Sequence, residues 1–195
     1  MREPLRLLLA GLVVVLVASA CAGGDSGDEG SHGGAADLPG ALPSDIAFEE
    51  APANAVPAPE LTAELVDGTP VDASDLWDDR PVVLVFTASW CDRCADVHRE
   101  TADVVDEHEG VGLLGVVPAD DAEGAREYAD ELQLGHPLAV AGDDVWLSYA
   151  VREPPAVVLV GRGGKVLRGW PGGVDPPLLA AHLEDLVRNP GSQGP

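Results

Sequence analysis

The chain has 195 residues, with 34 acidic against 11 basic side chains and a formal net charge of −23 at pH 7. A surface this acidic repels phosphate backbones and anionic head groups, which excludes nucleic-acid binding. The length allows one domain with a sizeable core beside shorter flanking segments. The acidity has two interpretations, a well-solvated surface or adaptation to high salt, and both stay open.

The first twenty residues have the pattern of a secretory signal peptide. A basic start, MREPLR, precedes the apolar run LLLAGLVVVLVASA, which is short for a membrane span and ends in small residues. An uncleaved anchor is the alternative. Residues 18–21, ASAC, resemble a bacterial lipobox, although Ala18 stands where Leu, Val or Ile is usual. This resemblance implies a lipidated Cys21 that anchors the protein to the outer face of the cytoplasmic membrane.

Gly, Asp, Pro, Ala and Ser dominate residues 21–58, without an apolar period. Such a segment cannot bury enough surface to offset the entropy of ordering, which predicts a disordered tether. One domain is then expected over residues 59–189, followed by a disordered tail over 190–195.

The domain begins with strand patterns. A short hairpin is expected over residues 61–76, with its turn at Asp67-Gly68. The apolar runs 82–86 and 111–119 predict two strands buried on both faces, because they are continuous rather than alternating.

Helix patterns follow each of these strands. Apolar residues recur at helical spacing over about 94–108 and 120–134. A short strand, a short helix, a hairpin over 157–169 and a C-terminal helix over 175–188 complete the domain. The order β-α-β-α-β-β-α predicts a parallel sheet with helices on both faces, to which the terminal hairpin adds antiparallel strands.

Two of the three cysteines, Cys91 and Cys94, lie where the first buried strand gives way to a helix. Unpaired N–H groups and the dipole at a helix N-terminus stabilise a thiolate, the nucleophilic form of cysteine. We therefore expect Cys91 to attack, and Cys94, shielded in the first turn, to resolve the mixed disulfide. With Cys21 lipidated, no odd thiol is left over.

The stretch VVLVFTASWCDRC and the later stretch YAVREPPAVVLVGRGGKVLRGWPGG resemble thioredoxin-fold proteins. They are most similar to the membrane-tethered TlpA/ResA group of thiol–disulfide oxidoreductases. Over about residues 59–189 this resemblance implies a thioredoxin-like α/β fold, with a central mixed sheet, helices on both faces and an N-terminal β-hairpin extension. It implies an extracytoplasmic enzyme without a cofactor, which exchanges disulfides with thiol or disulfide proteins and is reset by an unidentified redox partner.

The resemblance also implies a cis proline that faces the cysteines. Pro155, with Pro154 before it, is favoured because it stands nearest the following strand. Three positions depart from the family pattern. Arg93 replaces a common Pro, and Pro154 replaces Thr, Val or Ile. Val85 stands where many members have a buried acid or Asn as a proton relay, so the domain lacks the relay or uses another group.

Arg93 has two interpretations. Beside the thiols, its charge would stabilise the Cys91 thiolate and make the disulfide more oxidising. Alternatively it is solvated and pairs with Asp92 or Asp96, and because these acids oppose its effect, the redox direction stays open. Trp90 is expected to pack over the disulfide at the surface rather than in the core.

A metal site is one alternative function. Cys91, Cys94 and His98 supply three ligands, whereas a structural zinc site normally has four, and no second pair exists in the sequence. Copper handling by the thiol pair stays open. A c-type haem would need His at Ala95.

Three further alternatives involve no metal. A static disulfide staple would close too small a loop to constrain the unfolded chain much. A thioredoxin-like lipoprotein could bind a partner without turnover. A thiol peroxidase would use Thr87 and Arg152 around Cys91.

Overall fold

The computed structural model describes residues 32–187, so the predictions for the signal peptide, Cys21 and the C-terminal tail lie outside it. One sheet runs in the order β1-β8-β7-β4-β5-β6-β2-β3. The strands are β1 (Val56–Pro57), β2 (Thr62–Leu65), β3 (Pro70–Asp72), β4 (Val82–Phe86), β5 (Gly112–Pro118), β6 (Leu138–Ala141), β7 (Ala156–Gly161) and β8 (Lys165–Pro171). The helices are α1 (Ala73–Trp77), α2 (Cys94–Asp106), α3 (Ala122–Leu132), α4 (Asp143–Ser148) and α5 (Pro176–Glu184).

The centre of the sheet is mixed, as expected. Strand β4 pairs in parallel with β5 and antiparallel with β7, and every residue of β4 is buried. Its continuous apolar run is explained by this position, because helices cover both faces of the strand. The predicted N-terminal hairpin forms as β2 and β3 and joins the sheet through β6.

Alternating side chains of β4 divide the core into two layers. Val83 and Val85 pack with α2 and α5, whereas Leu84 and Phe86 pack with α1 and α4. Helix α3 lies on the same face as α2, because Tyr128 of α3 hydrogen-bonds to His98 of α2. This arrangement confirms the predicted thioredoxin-like fold with helices on both faces.

Residues 32–58 correct the prediction of a disordered tether over 21–58. The Phe48 ring is 1% exposed, and its backbone bridges to Val187. Gly33 is buried and accepts a hydrogen bond from the Leu138 N–H at 2.8 Å. The ordered domain therefore begins well before residue 59. The composition argument averages over the segment, whereas one buried ring and a few backbone hydrogen bonds can order it.

The helices of residues 32–187 include none that is both long enough and apolar enough to span a membrane. Helix α5 ends at Glu184, earlier than predicted. Its buried face consists of Leu179 and Leu183, whereas Leu178 is 44% exposed.

Candidate redox site

Cys91 and Cys94 form a disulfide at the junction of β4 and α2, with their Cα atoms 5.3 Å apart. Helix α2 begins at Cys94, so Cys91 lies just before its N-terminus. The Cys91 N–H donates to the Ala88 carbonyl at 3.2 Å, and the Cys94 N–H donates to the Cys91 carbonyl at 3.0 Å. Cys91 is partly exposed, whereas Cys94 is 0% exposed. The structure thus places the two cysteines as the sequence predicts.

A buried carboxylate holds the loop before Cys91. Asp121 is 8% exposed and accepts hydrogen bonds from the Ser89 N–H at 2.7 Å and the Ser89 hydroxyl at 2.5 Å. A Cβ at Gly124 would come within 2.7 Å of the Asp121 Oδ1, so this glycine leaves room for the pair. Sequence reasoning missed the contact, because acidic residues are common at the start of a helix and nothing else in the sequence distinguishes Asp121.

A groove of about 930 Å³ opens at Cys91 and brings the predicted site residues together. Arg93, Pro154 and Pro155 line it with Tyr149 and Trp170 among others. The peptide bond between Pro154 and Pro155 is cis, as expected for Pro155. The lining thus combines aromatic, proline and charged side chains beside Cys91.

Arg93 lines this groove, whereas Trp90, which directly precedes Cys91, is not among its lining residues. Trp90 is 64% exposed, which places it at the surface and not in the core. The Arg93 Nη2 donates to the Gly172 carbonyl at 3.3 Å. Within residues 32–187 Arg93 forms no ion pair, and Asp96 pairs instead with Arg99 at 3.4 Å. The Arg93 charge therefore stays exposed at the groove.

A buried polar network of four side chains lies on the α2 face of the sheet. The Thr87 hydroxyl bonds to the Tyr128 hydroxyl at 2.9 Å, and Tyr128 bonds to the His98 Nδ1 at 3.0 Å. The His98 Nε2 then bonds to the His136 Nε2 at 2.7 Å. Thr87 and His98 are 0% exposed, whereas His136 reaches the surface in part. The network therefore leads from the core outward.

Burial keeps this network neutral near pH 7. It lowers the pKa of His98 well below the ordinary value of 6.5, and the nearby His136 and Arg99 act in the same direction. Burial lowers the pKa of His136 to about 4, although Asp37 opposes the change. Burial also raises the pKa of Tyr128 to about 12.

The network bears on two of the alternatives. His98, considered as a third metal ligand, has both ring nitrogens engaged by Tyr128 and His136. Across residues 32–187, no group of three His, Cys, Asp or Glu side chains is arranged to hold a metal ion. Thr87, considered for peroxidase chemistry, bonds to Tyr128, although Arg152 does line the groove with Cys91.

Solved structures share this fold. DsbF from MTB is 23% identical, covering 65% of this chain and 97% of its own, with a TM-score of 0.58. A secreted Mycobacterium tuberculosis disulfide oxidoreductase homologous to E. coli DsbE is 21% identical, covering 64% and 94%, with a TM-score of 0.56. A thiol:disulfide interchange protein of Chlorobium tepidum TLS is 17% identical, covering 69% and 97%, with a TM-score of 0.56. Among curated proteins, none matches the sequence.

The fold and the site together define a class. A Cys-x-x-Cys disulfide lies at a strand-to-helix junction on a thioredoxin fold, the fold that these solved structures share. The chain belongs to the AhpC/TSA family, which matches residues 55–168. The match covers strands β1 to β7 and most of β8, and it includes both cysteines.

Proposed function

We propose that this protein exchanges disulfides with protein partners through Cys91 and Cys94. The observation that carries the proposal is the unequal exposure of the two sulfurs. Cys91 opens into the groove, whereas Cys94 is 0% exposed beneath it. A partner sulfur can therefore reach Cys91, and Cys94 is left to break the mixed disulfide from within.

The exchange follows from this geometry. When a partner dithiol is oxidised, its thiolate attacks the Cys91 sulfur, the Cys91–Cys94 bond breaks, and Cys94 leaves and takes up a proton. The second partner thiolate then attacks the partner's own sulfur in the mixed disulfide, and Cys91 leaves as a thiolate. Two electrons pass from the partner to the cysteine pair. The reverse sequence reduces a partner disulfide.

The groove supports binding of a peptide segment next to Cys91. Aromatic and proline side chains provide apolar contact, and the Pro154 backbone offers a carbonyl acceptor but no N–H. Arg93 and Arg152 line this groove together with Asp92 and Glu153, so it presents charges of both signs to a partner. Trp90, exposed beside the cysteine loop, would add apolar contact with the partner.

The site of action is part of the same proposal. The signal-peptide pattern and the ASAC stretch support a lipoprotein held on the outer face of the cytoplasmic membrane through Cys21. In this position the protein would meet extracytoplasmic thiol and disulfide proteins, and a further redox partner would reset its cysteines. Lipidation is tested by mass spectrometry of the membrane fraction, where an unmodified Cys21 would contradict it.

Two cysteine variants test the exchange itself. Cys91→Ser removes the attacking sulfur and is expected to abolish exchange with a model disulfide. Cys94→Ser is expected to leave a partner covalently held on Cys91, visible as a band that reductant removes. Full exchange activity in Cys91→Ser would refute the proposal. Turnover of hydrogen peroxide in place of disulfides would favour the peroxidase.

The redox direction is measured on the full chain in graded glutathione buffers. Alkylation and mass analysis then give the fraction of oxidised protein. A transition at about −270 mV would indicate a reductase, and a transition at about −120 mV would indicate an oxidase.

A further inference from the structure

The proposed exchange requires the Cys94 thiol to release its proton from a buried position. This thiol must lose a proton each time the disulfide closes, and its side chain is 0% exposed. The strand beneath α2 offers no acceptor at Val85, which is apolar and 0% exposed. A buried thiol without an acceptor ionises poorly, because desolvation disfavours the thiolate. Other buried polar groups must therefore serve this sulfur.

The buried polar network shares the buried face of helix α2 with Cys94. His98 follows Cys94 by four residues on the buried face of α2, so their Cβ atoms are about 5–6 Å apart. Side chains in a helix lean toward its N-terminus, which directs the His98 ring toward the turn that holds Cys94. Thr87, at the other end of the network, directly follows β4 and begins the loop that carries the cysteines.

Every member of the network can both donate and accept a hydrogen bond. In one direction, the Thr87 hydroxyl donates to Tyr128, and the Tyr128 hydroxyl donates to the His98 Nδ1. The His98 Nε2–H then donates to the His136 Nε2, which leaves the His136 Nδ1–H as the last donor. In the opposite direction each bond is reversed. Shifting one proton across each bond moves a proton through the network without creating a buried charge.

Burial favours neutral rings. Arg99 of α2 and the His136 ring also disfavour a cationic His98, whereas Asp37 favours a cationic His136 and only partly offsets the effect of burial on its pKa. A neutral imidazole has one donor and one acceptor nitrogen, whereas the cation has no acceptor. Neutral rings are therefore the form that can relay a proton, and His136 connects the relay to the surface.

We propose that Thr87, Tyr128, His98 and His136 form the proton path of Cys94, an inference that rests on the proposed disulfide exchange. In the resolving step, the Cys94 sulfur attacks the Cys91 sulfur of the mixed disulfide, and the partner leaves as a thiolate. The Cys94 proton enters the network at the Thr87 hydroxyl, and a proton leaves from the His136 Nδ1 to water. Thr87 would take the proton from the reacting Cys94 sulfur itself, whereas Tyr128, His98 and His136 are positioning residues that act through Thr87.

The test separates the two sulfur attacks in the full chain. The reduced protein is mixed with a chromogenic aromatic disulfide, which releases one thiolate when Cys91 attacks and a second when Cys94 resolves the mixed disulfide. Tyr128→Phe removes one hydroxyl of the network, and His136→Gln blocks its outer end. His108→Gln is the matched control, since the His108 Nδ1 bonds to the Val104 carbonyl at 2.7 Å, outside the network.

Both network variants are expected to slow the second release about a hundredfold near about pH 7 and to move its pH profile upward. The first release and the control variant should stay within about twofold of the wild type, because the attack by Cys91 does not use the network. In heavy water, the second release of the wild type should slow more than the first.

A second release within about twofold of the wild type in both variants would overturn the path. Should Tyr128→Phe fail to fold, His136→Gln and the isotope effect on the wild type test the proton path without it. Equal isotope effects on the two releases would also overturn the path. If the wild type shows no first release at all, the proposed exchange fails at Cys91, and the proton path fails with it.

Discussion

The His98–His136 pair predicts that this fold loses stability on acidification. In the unfolded chain both imidazoles return to the ordinary pKa of 6.5, whereas burial holds the folded pKa of His136 at about 4 and that of His98 well below 6.5. Below pH 6.5 the unfolded chain therefore binds more protons than the folded one. Stability is fully present above the unfolded pKa and is lost as the pH falls toward the folded pKa.

The size of the loss follows from the two pKa values of His136. The gap between 6.5 and about 4 is worth about 3 kcal/mol in full, at about 1.4 kcal/mol per pKa unit. About 2 kcal/mol of it is lost by about pH 5. His98 acts in the same direction. Since a domain of this kind has a total stability of about 5–15 kcal/mol, the loss is large enough to measure.

Urea unfolding of the full chain at several values between about pH 7 and pH 5 measures this loss. The acidic surface opposes the trend, because protonating carboxylates relieves their repulsion, so the wild-type curve alone is insufficient. His136→Gln keeps an amide that can bond to His98 but cannot titrate. His108→Gln controls for the loss of one imidazole outside the pair.

The expected result is a change with pH in the difference between the two unfolding free energies. Whatever the offset near about pH 7, His136→Gln should gain about 2 kcal/mol relative to the wild type by about pH 5. His108→Gln should not show this gain. Parallel pH dependences of the wild type and His136→Gln would refute the reasoning, because they would mean that His136 takes up its proton equally in the folded and unfolded states.

Three further predictions concern single contacts, each measured by urea unfolding. Phe48→Ala is expected to lower the free energy of unfolding by about 3–5 kcal/mol, because Phe48 is 1% exposed. A loss as small as that of an exposed residue would mean that this segment is detached from the domain in solution. Asp121→Ala is expected to cost about 1–3 kcal/mol, since both Ser89 donors lose their acceptor, and to slow exchange at Cys91; unchanged stability would show that water replaces the carboxylate. Gly115→Ala should lower the free energy of unfolding by about 1–3 kcal/mol, because a Cβ there would lie within 3.1 Å of neighbouring side chains. Gly135→Ala is the control, since a Cβ there would have no atom within 4 Å, and equal effects of the two substitutions would contradict the packing around Gly115.

The sheet and the cysteine pair could be predicted because their signals are local. The run from Val82 to Phe86 is continuous and β-branched, which is what a strand covered on both faces requires. The Cys-x-x-Cys spacing places both sulfurs at a helix start, and the observed helix begins at Cys94. The cis proline was expected only from the family resemblance, and Pro155 could be preferred to Pro154 because it directly precedes β7.

The buried polar network could not be predicted, because its members are far apart in the sequence. Thr87 and Tyr128 are 41 residues apart, and His98 lies 38 residues from His136. In the sequence, the only functional residues near His98 are the two cysteines, which suggested that His98 could be a metal ligand with them. Its actual partners meet it only after α3 and the loop before β6 pack against α2. Phe48 was missed for a related reason, since its packing partners come from distant segments.

The unequal exposure of the two cysteines also decides which experiment can find a partner of the proposed exchange. A sulfur that approaches from solvent reaches Cys91 in the groove and cannot reach Cys94, which is 0% exposed. Under the proposed exchange the mixed disulfide therefore forms on Cys91, whether the protein oxidises or reduces its partner. Cys94→Ser keeps the free Cys91 thiol and lacks the resolving sulfur, so it holds a partner disulfide directly and a partner thiol once an oxidant is added. With both conditions tried, the partner can be identified before the reduction potential is known.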